Sequence, residues 1–119
     1  MEFKKLIEDS KKILDLKEDW DDEGALPIDE DLYNESISFF MKYYYEGMSL
    51  PDISPCRDGS IDFYWSGENQ LLINISKENQ GYIATFYGDN RKKVIKGTIL
   101  TDEFSETLDK FIFDYMHYH

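Results

Sequence analysis

Ile61-Asp62-Phe63-Tyr64-Trp65, followed by Leu71-Leu72-Ile73-Asn74-Ile75-Ser76, decides the fold. In the first run Ile61, Phe63 and Trp65 alternate with Asp62 and Tyr64. In the second Leu71, Ile73 and Ile75 alternate with Leu72, Asn74 and Ser76. A period of two predicts strands with one face in a core and one face out of it. Ser66–Gln70 between them reads as a polar turn. Upstream, Arg57-Asp58-Gly59-Ser60 contains the Asp-Gly pair that favours a hairpin, and Asp52–Cys56 reads as a short strand before it. Downstream, Lys77–Gly81 is a turn, Tyr82–Tyr87 a strand, Gly88-Asp89-Asn90 a turn and Lys92–Leu100 a last strand weakened by Gly97. The pattern predicts an antiparallel meander of four strands, with a fifth at its front.

On either side of this block the period changes to that of a helix. Phe3, Leu6, Ile7, Ile13 and Leu14 predict a helix over 2–16 with a narrow apolar stripe. Asp29 is a good N-cap for a second helix over 29–46, with Glu30 and Asp31 in the first turn, where the helix dipole favours them, and Gly47 as its C′ residue. Leu32, Ser36, Ile37, Phe39, Phe40, Tyr43 and Tyr44 give this helix a wide apolar face. Phe104, Leu108, Phe111, Ile112 and Tyr115 predict a third over 102–117, capped by Thr101 or Asp102. The expected fold is a single α+β domain over 1–119, in the order α-α-β-β-β-β-(β)-α, with helices on one sheet face.

Charge narrows the function classes. The chain has 119 residues, with 13 Lys+Arg against 25 Asp+Glu and a net charge of −12. A 41% hydrophobic content supplies a core, so disorder is not expected. The acidity argues against direct nucleic-acid binding, because phosphates are repelled. No apolar run approaches the about 18 residues that span a bilayer. Met1-Glu2-Phe3-Lys4-Lys5 lacks the apolar centre of a signal peptide, and Cys56 stands alone, so a reducing cytoplasm is the expected setting.

The charge is concentrated. Asp15 to Glu35 holds ten acids and one base, Lys17, for −9 of the −12. Arg91, Lys92, Lys93 and Lys96 form a small basic patch on the last hairpin. The acidic block reads either as a solvated loop and helix start or as a surface aimed at a basic partner. Within it, Asp19, Asp21, Glu23, Gly24 and Glu30 follow the D-x-D-x-[DN]-G-x5-E spacing of a calcium loop, with Glu at the fifth position. Pro27 at the ninth position, Glu18 before the loop and the lack of a second loop weigh against calcium.

Trp20-Asp21-Asp22-Glu23-Gly24-Ala25-Leu26-Pro27-Ile28 resembles a motif of a loose group of small, uncharacterised bacterial proteins, W-D-x-x-G-A-x-P-I followed by a helix. In that group P-x-I-x-P-x-x-D-G-x-I and a Trp-bearing strand come next. Here these are Pro51 to Ile61 and Trp65, so the resemblance covers about half the chain. It implies structural roles for Trp20, Gly24, Ala25 and Pro27, with Trp20 anchoring the loop against the sheet, and it implies no catalytic residue.

Enzyme motifs are absent: there is no P-loop, dinucleotide fingerprint, G-x-S-x-G or H-E-x-x-H. The histidines, His117 and His119, lie at the chain end, a poor place for a general base. No cofactor is expected. The nine tyrosines, Tyr43-Tyr44-Tyr45 among them, supply core edges or interface anchors. The resulting expectation is a non-enzymatic acidic protein that inhibits or neutralises a protein partner, of the antitoxin, immunity or phage anti-defence type. It would do so by occluding a basic nucleic-acid-binding groove. The expected contact residues are Asp19, Trp20, Asp21, Asp22, Glu23, Asp29, Glu30 and Asp31. Self-association through the open sheet face or an edge strand is the second expectation, and a calcium-binding domain the third.

Overall fold

The computed structural model describes residues 2–79 and 81–116. The meander has five strands: β1 (Asp52–Pro55), β2 (Ile61–Trp65), β3 (Gln70–Glu78), β4 (Gly81–Asp89) and β5 (Val94–Leu100). They pair in sequence order and all antiparallel. The weak front segment is a true strand: Ile53 lies opposite Phe63, and Pro55 opposite Ile61.

The alternation assigns the two faces. Ile61, Phe63, Trp65, Leu71, Ile73, Ile75, Ala84, Phe86 and Ile95 are buried. Tyr64, Leu72, Tyr87 and Lys96 lie in one cross-strand row on the opposite face. Helices α2 (Glu30–Tyr43) and α3 (Glu106–Tyr115) cover the buried face. The Phe40 ring stacks on Phe63 at 5.4 Å, and Phe111 sits over Gly88, where a Cβ would meet its ring at 2.9 Å. The absence of a side chain at Gly88 is what lets α3 approach β4 this closely.

Three helix ends differ from the periodicity. The first helix, α1, spans Glu2–Ser10 and tightens into a 3-10 segment over Lys11–Asp15 instead of continuing as one helix to 16. Ser10 marks the change: its hydroxyl donates to the Ile7 carbonyl at 2.7 Å, a local bond that competes with a regular helix, and shares a hydrogen bond with Tyr33 Oη of α2 at 2.6 Å. Helix α2 ends at Tyr43 rather than 46, because Tyr44 is already extended, and Gly47 (φ +85°) belongs to the turn that follows. Helix α3 begins at Glu106, capped by Ser105 through its bond from the Leu108 N–H at 3.1 Å, so neither Thr101 nor Asp102 is the cap. Phe104 therefore precedes the helix. It is exposed, with its ring stacked flat on Tyr43 at 5.3 Å, and is no part of the buried stripe. His117, Tyr118 and His119 lie outside the described residues.

Candidate functional site: the acidic loop

The connection from Leu16 to Asp29 is built by its own carboxylates. Asp19 and Asp22 adopt left-handed backbone (φ +63° and +61°), which Asp tolerates better than most side chains, and Gly24 reaches φ +86°. These turns fold the chain back on itself. The Asp19 N–H donates to the Ala25 carbonyl at 2.7 Å, and the Asp19 carboxylate accepts from the Gly24 N–H at 2.6 Å. Asp21 Oδ1 accepts from the N–H groups of Glu23 at 2.9 Å and Ala25 at 3.1 Å. Ala25 is buried beneath them.

Arg57, on the β1–β2 turn, clasps the loop to the sheet. Its Nε lies 2.6 Å from Asp21 Oδ2, Nη2 donates to the Glu23 carbonyl, and its own carbonyl accepts from the Leu26 N–H at 2.8 Å. Burial pushes the Asp21 carboxyl upward, but the Glu23 and Ala25 N–H groups and the Arg57 guanidinium outweigh it, so its pKa lies below the usual value. Asp58 is lowered as well, chiefly by hydrogen bonds from the Ser60 hydroxyl and N–H. Trp20 is half-buried, and its indole N–H donates to the Leu26 carbonyl at 2.7 Å, closing the loop on itself.

The eight expected contact residues thus divide by role. The side chains of Asp19, Trp20 and Asp21 hold the loop's shape. Asp29 caps α2 by accepting from the Leu32 N–H at 3.3 Å. Asp22, Glu23, Glu30 and Asp31 are exposed, and their carboxylates have no ion-pair or hydrogen-bond partner among the described residues. The only ion pairs among the described residues are Lys11–Glu8 and Arg57–Asp21.

The calcium-loop spacing does not become a calcium-loop geometry. Asp19 Oδ1 and both Asp21 oxygens already face N–H donors, and the first helical segment ends at Asp15, short of the loop. No three His, Cys, Asp or Glu side chains among the described residues converge as a metal group.

Arg57 is the residue that sequence reading missed. It stood only as part of a hairpin turn, and nothing in its spacing reports that the turn folds back onto a loop more than thirty residues earlier. Nearby, Asn74 Nδ2 donates to Ser60 Oγ at 2.9 Å and Asp62 Oδ1 at 2.8 Å, with Cys56 Sγ at 3.9 Å. Burial pushes the Cys56 thiol up to about 11, with the Asp62 carboxylate adding to the shift, so it is protonated at neutral pH and a poor nucleophile. Comparison with protein-family models, curated proteins and solved structures finds no match.

Proposed function

We propose that the chain is a non-enzymatic acidic binding protein that inhibits or neutralises a protein partner through the loop and the start of α2. The observation that carries this reading is the division of labour within the loop. Asp19, Asp21, Arg57 and Trp20 fix the backbone, while Asp22, Glu23, Glu30 and Asp31 stand in solvent unneutralised. Binding to such a surface loses little loop entropy, because the loop is already tied down. Its charge also speeds encounter with a positive surface. The partner class is a protein with a basic groove of the kind that holds nucleic acid, so occlusion would block that use. Antitoxin, immunity and phage anti-defence proteins act in this manner, and a cytoplasmic setting suits all three.

The test is charge reversal at Asp22 and Glu23, which leaves the clasp intact. Asp22→Lys/Glu23→Lys is expected to abolish partner binding while circular dichroism shows the fold retained, with a slightly lower melting temperature because Lys tolerates the left-handed backbone at 22 less well than Asp. Asp21 is unsuitable, because reversing it sets an ammonium against Arg57. Binding that survives the double reversal would move the interface off this loop. A second reading, self-association through a sheet edge, is favoured by the open outer side of β5.

A further inference from the structure

The two edges of the sheet are not equivalent. β1 is four residues long, preceded by Pro51 and ended by Pro55, both devices that discourage pairing. β5 is seven residues long, contains no proline and has β4 on one side only. Hydrogen bonds at its ends show which backbone groups face outward. The Lys93 carbonyl accepts from the Asn90 N–H at 3.2 Å, and the Thr101 N–H donates to the Tyr82 carbonyl at 3.0 Å, so odd-numbered residues turn toward β4. Antiparallel strands alternate, so Val94, Lys96 and Thr98 turn their N–H and C=O groups away from the sheet. Leu100 also faces out, but Glu103 closes it. The Leu100 N–H donates to the Glu103 carboxylate at 3.0 Å, and its carbonyl accepts from the Glu103 N–H at 2.9 Å. Nothing among the described residues does the same for Lys96 or Thr98.

The sequence of this edge is close to symmetric. In Val94-Ile95-Lys96-Gly97-Thr98-Ile99-Leu100, rotation about Gly97 places Val94 opposite Leu100, Ile95 opposite Ile99 and Lys96 opposite Thr98. Resting on the self-association reading, we infer that the occupant of this edge is a second copy of the chain, its β5 antiparallel to the first about a two-fold axis at Gly97. Lys96 then exchanges both backbone bonds with the partner's Thr98, and Thr98 does so with the partner's Lys96. Isoleucine meets isoleucine on the core side of the sheet.

Other registers are weaker. An axis at Ile95 pairs Val94 with the partner's Lys96 but places each copy's Lys96 diagonally between the other's Lys92 and Lys96, like charges on one face. An axis at Lys96 sets two ammonium groups face to face, and like charges directly opposite destabilise a sheet. An axis at Thr98 keeps only the two bonds of the Thr98 pair, because it sets Lys96 opposite the Leu100 groups that Glu103 holds; about Gly97 that loss falls on Val94 alone and four bonds remain. An axis between residues pairs an outward group with an inward one. The Gly97 register also carries the basic turn Arg91–Lys93 of each copy out alongside the acidic turn formed by the other copy's Asp102 and Glu103.

The experiment is sedimentation equilibrium of the full chain in about 1 M salt, where the Debye length is about 3 Å and repulsion between two acidic molecules is screened. A dimer is expected. Thr98→Pro removes an N–H that points away from β4, so the fold is retained while two of the four inter-copy bonds are lost, and dissociation constants rise at least tenfold. Lys96→Pro is the second variant. It removes the other outward N–H of the register, with a similar loss at any salt and no change to the monomer's backbone bonds. Circular dichroism melts verify folding of both. A wild-type chain that stays monomeric at its solubility limit would overturn the register and the self-association reading together. A dimer indifferent to both folded variants would leave self-association standing and overturn the β5 register.

Discussion

Arg57 ties the loop to the fold through one side chain. Arg57→Ala removes the partner of Asp21 Oδ2 and the donor to the Glu23 carbonyl. Amide exchange at Gly24 and Ala25 is therefore expected to rise at least tenfold, with a much smaller effect on core strands, as measured by hydrogen exchange. The pH response has a defined sign. Asp21 and Asp58 both lie below their usual value, so each contributes stability present in full above the unfolded carboxylate pKa of about 4 and lost as pH falls through the folded value. Acidification also relieves the chain's general negative repulsion, so the informative comparison is with Asp21→Asn. Melting temperature below about pH 4 should fall more steeply in the wild type than in that variant. Parallel curves would show that Asp21 does not clasp the loop.

Packing of α3 on the sheet rests on Gly88. A Cβ there would meet Phe111 at 2.9 Å and Ile95 at 3.0 Å, both buried, so Gly88→Ala is expected to destabilise by about 1–3 kcal/mol in chemical denaturation. Ser105→Ala removes the α3 cap and should cost about 1 kcal/mol. The two substitutions lie on either side of what sequence made legible. Alternation of Ile61, Phe63 and Trp65 was enough to assign strand, face and neighbours, because a half-buried strand admits one periodicity. Helix ends were less legible, since they depend on competition between a few hydrogen bonds. Ser105 outdid Thr101 and Asp102 as a cap, and Tyr44 turned extended before Gly47 was reached. The acidic site was legible as a charge block. Its internal division was not, because which acids become structural depends on Arg57, a residue brought in by tertiary folding.

Across the described residues, most negative charge stands without an ion-pair partner while a small basic patch sits at the β4–β5 turn. A long-range field of this kind speeds association with a basic surface and is screened by salt. Binding to the partner should therefore weaken steeply as salt rises, whereas a dimer held by backbone bonds along β5 should persist. The most direct measurement is parallel capture from nuclease-treated host lysate with the wild type and Asp22→Lys/Glu23→Lys, at low and high salt, read by mass spectrometry. The expected result is a basic protein retained by the wild type at low salt, released at high salt and missing from the variant. Equal retention by both chains, or no retained protein at low salt, would contradict an acidic loop built to engage a basic partner.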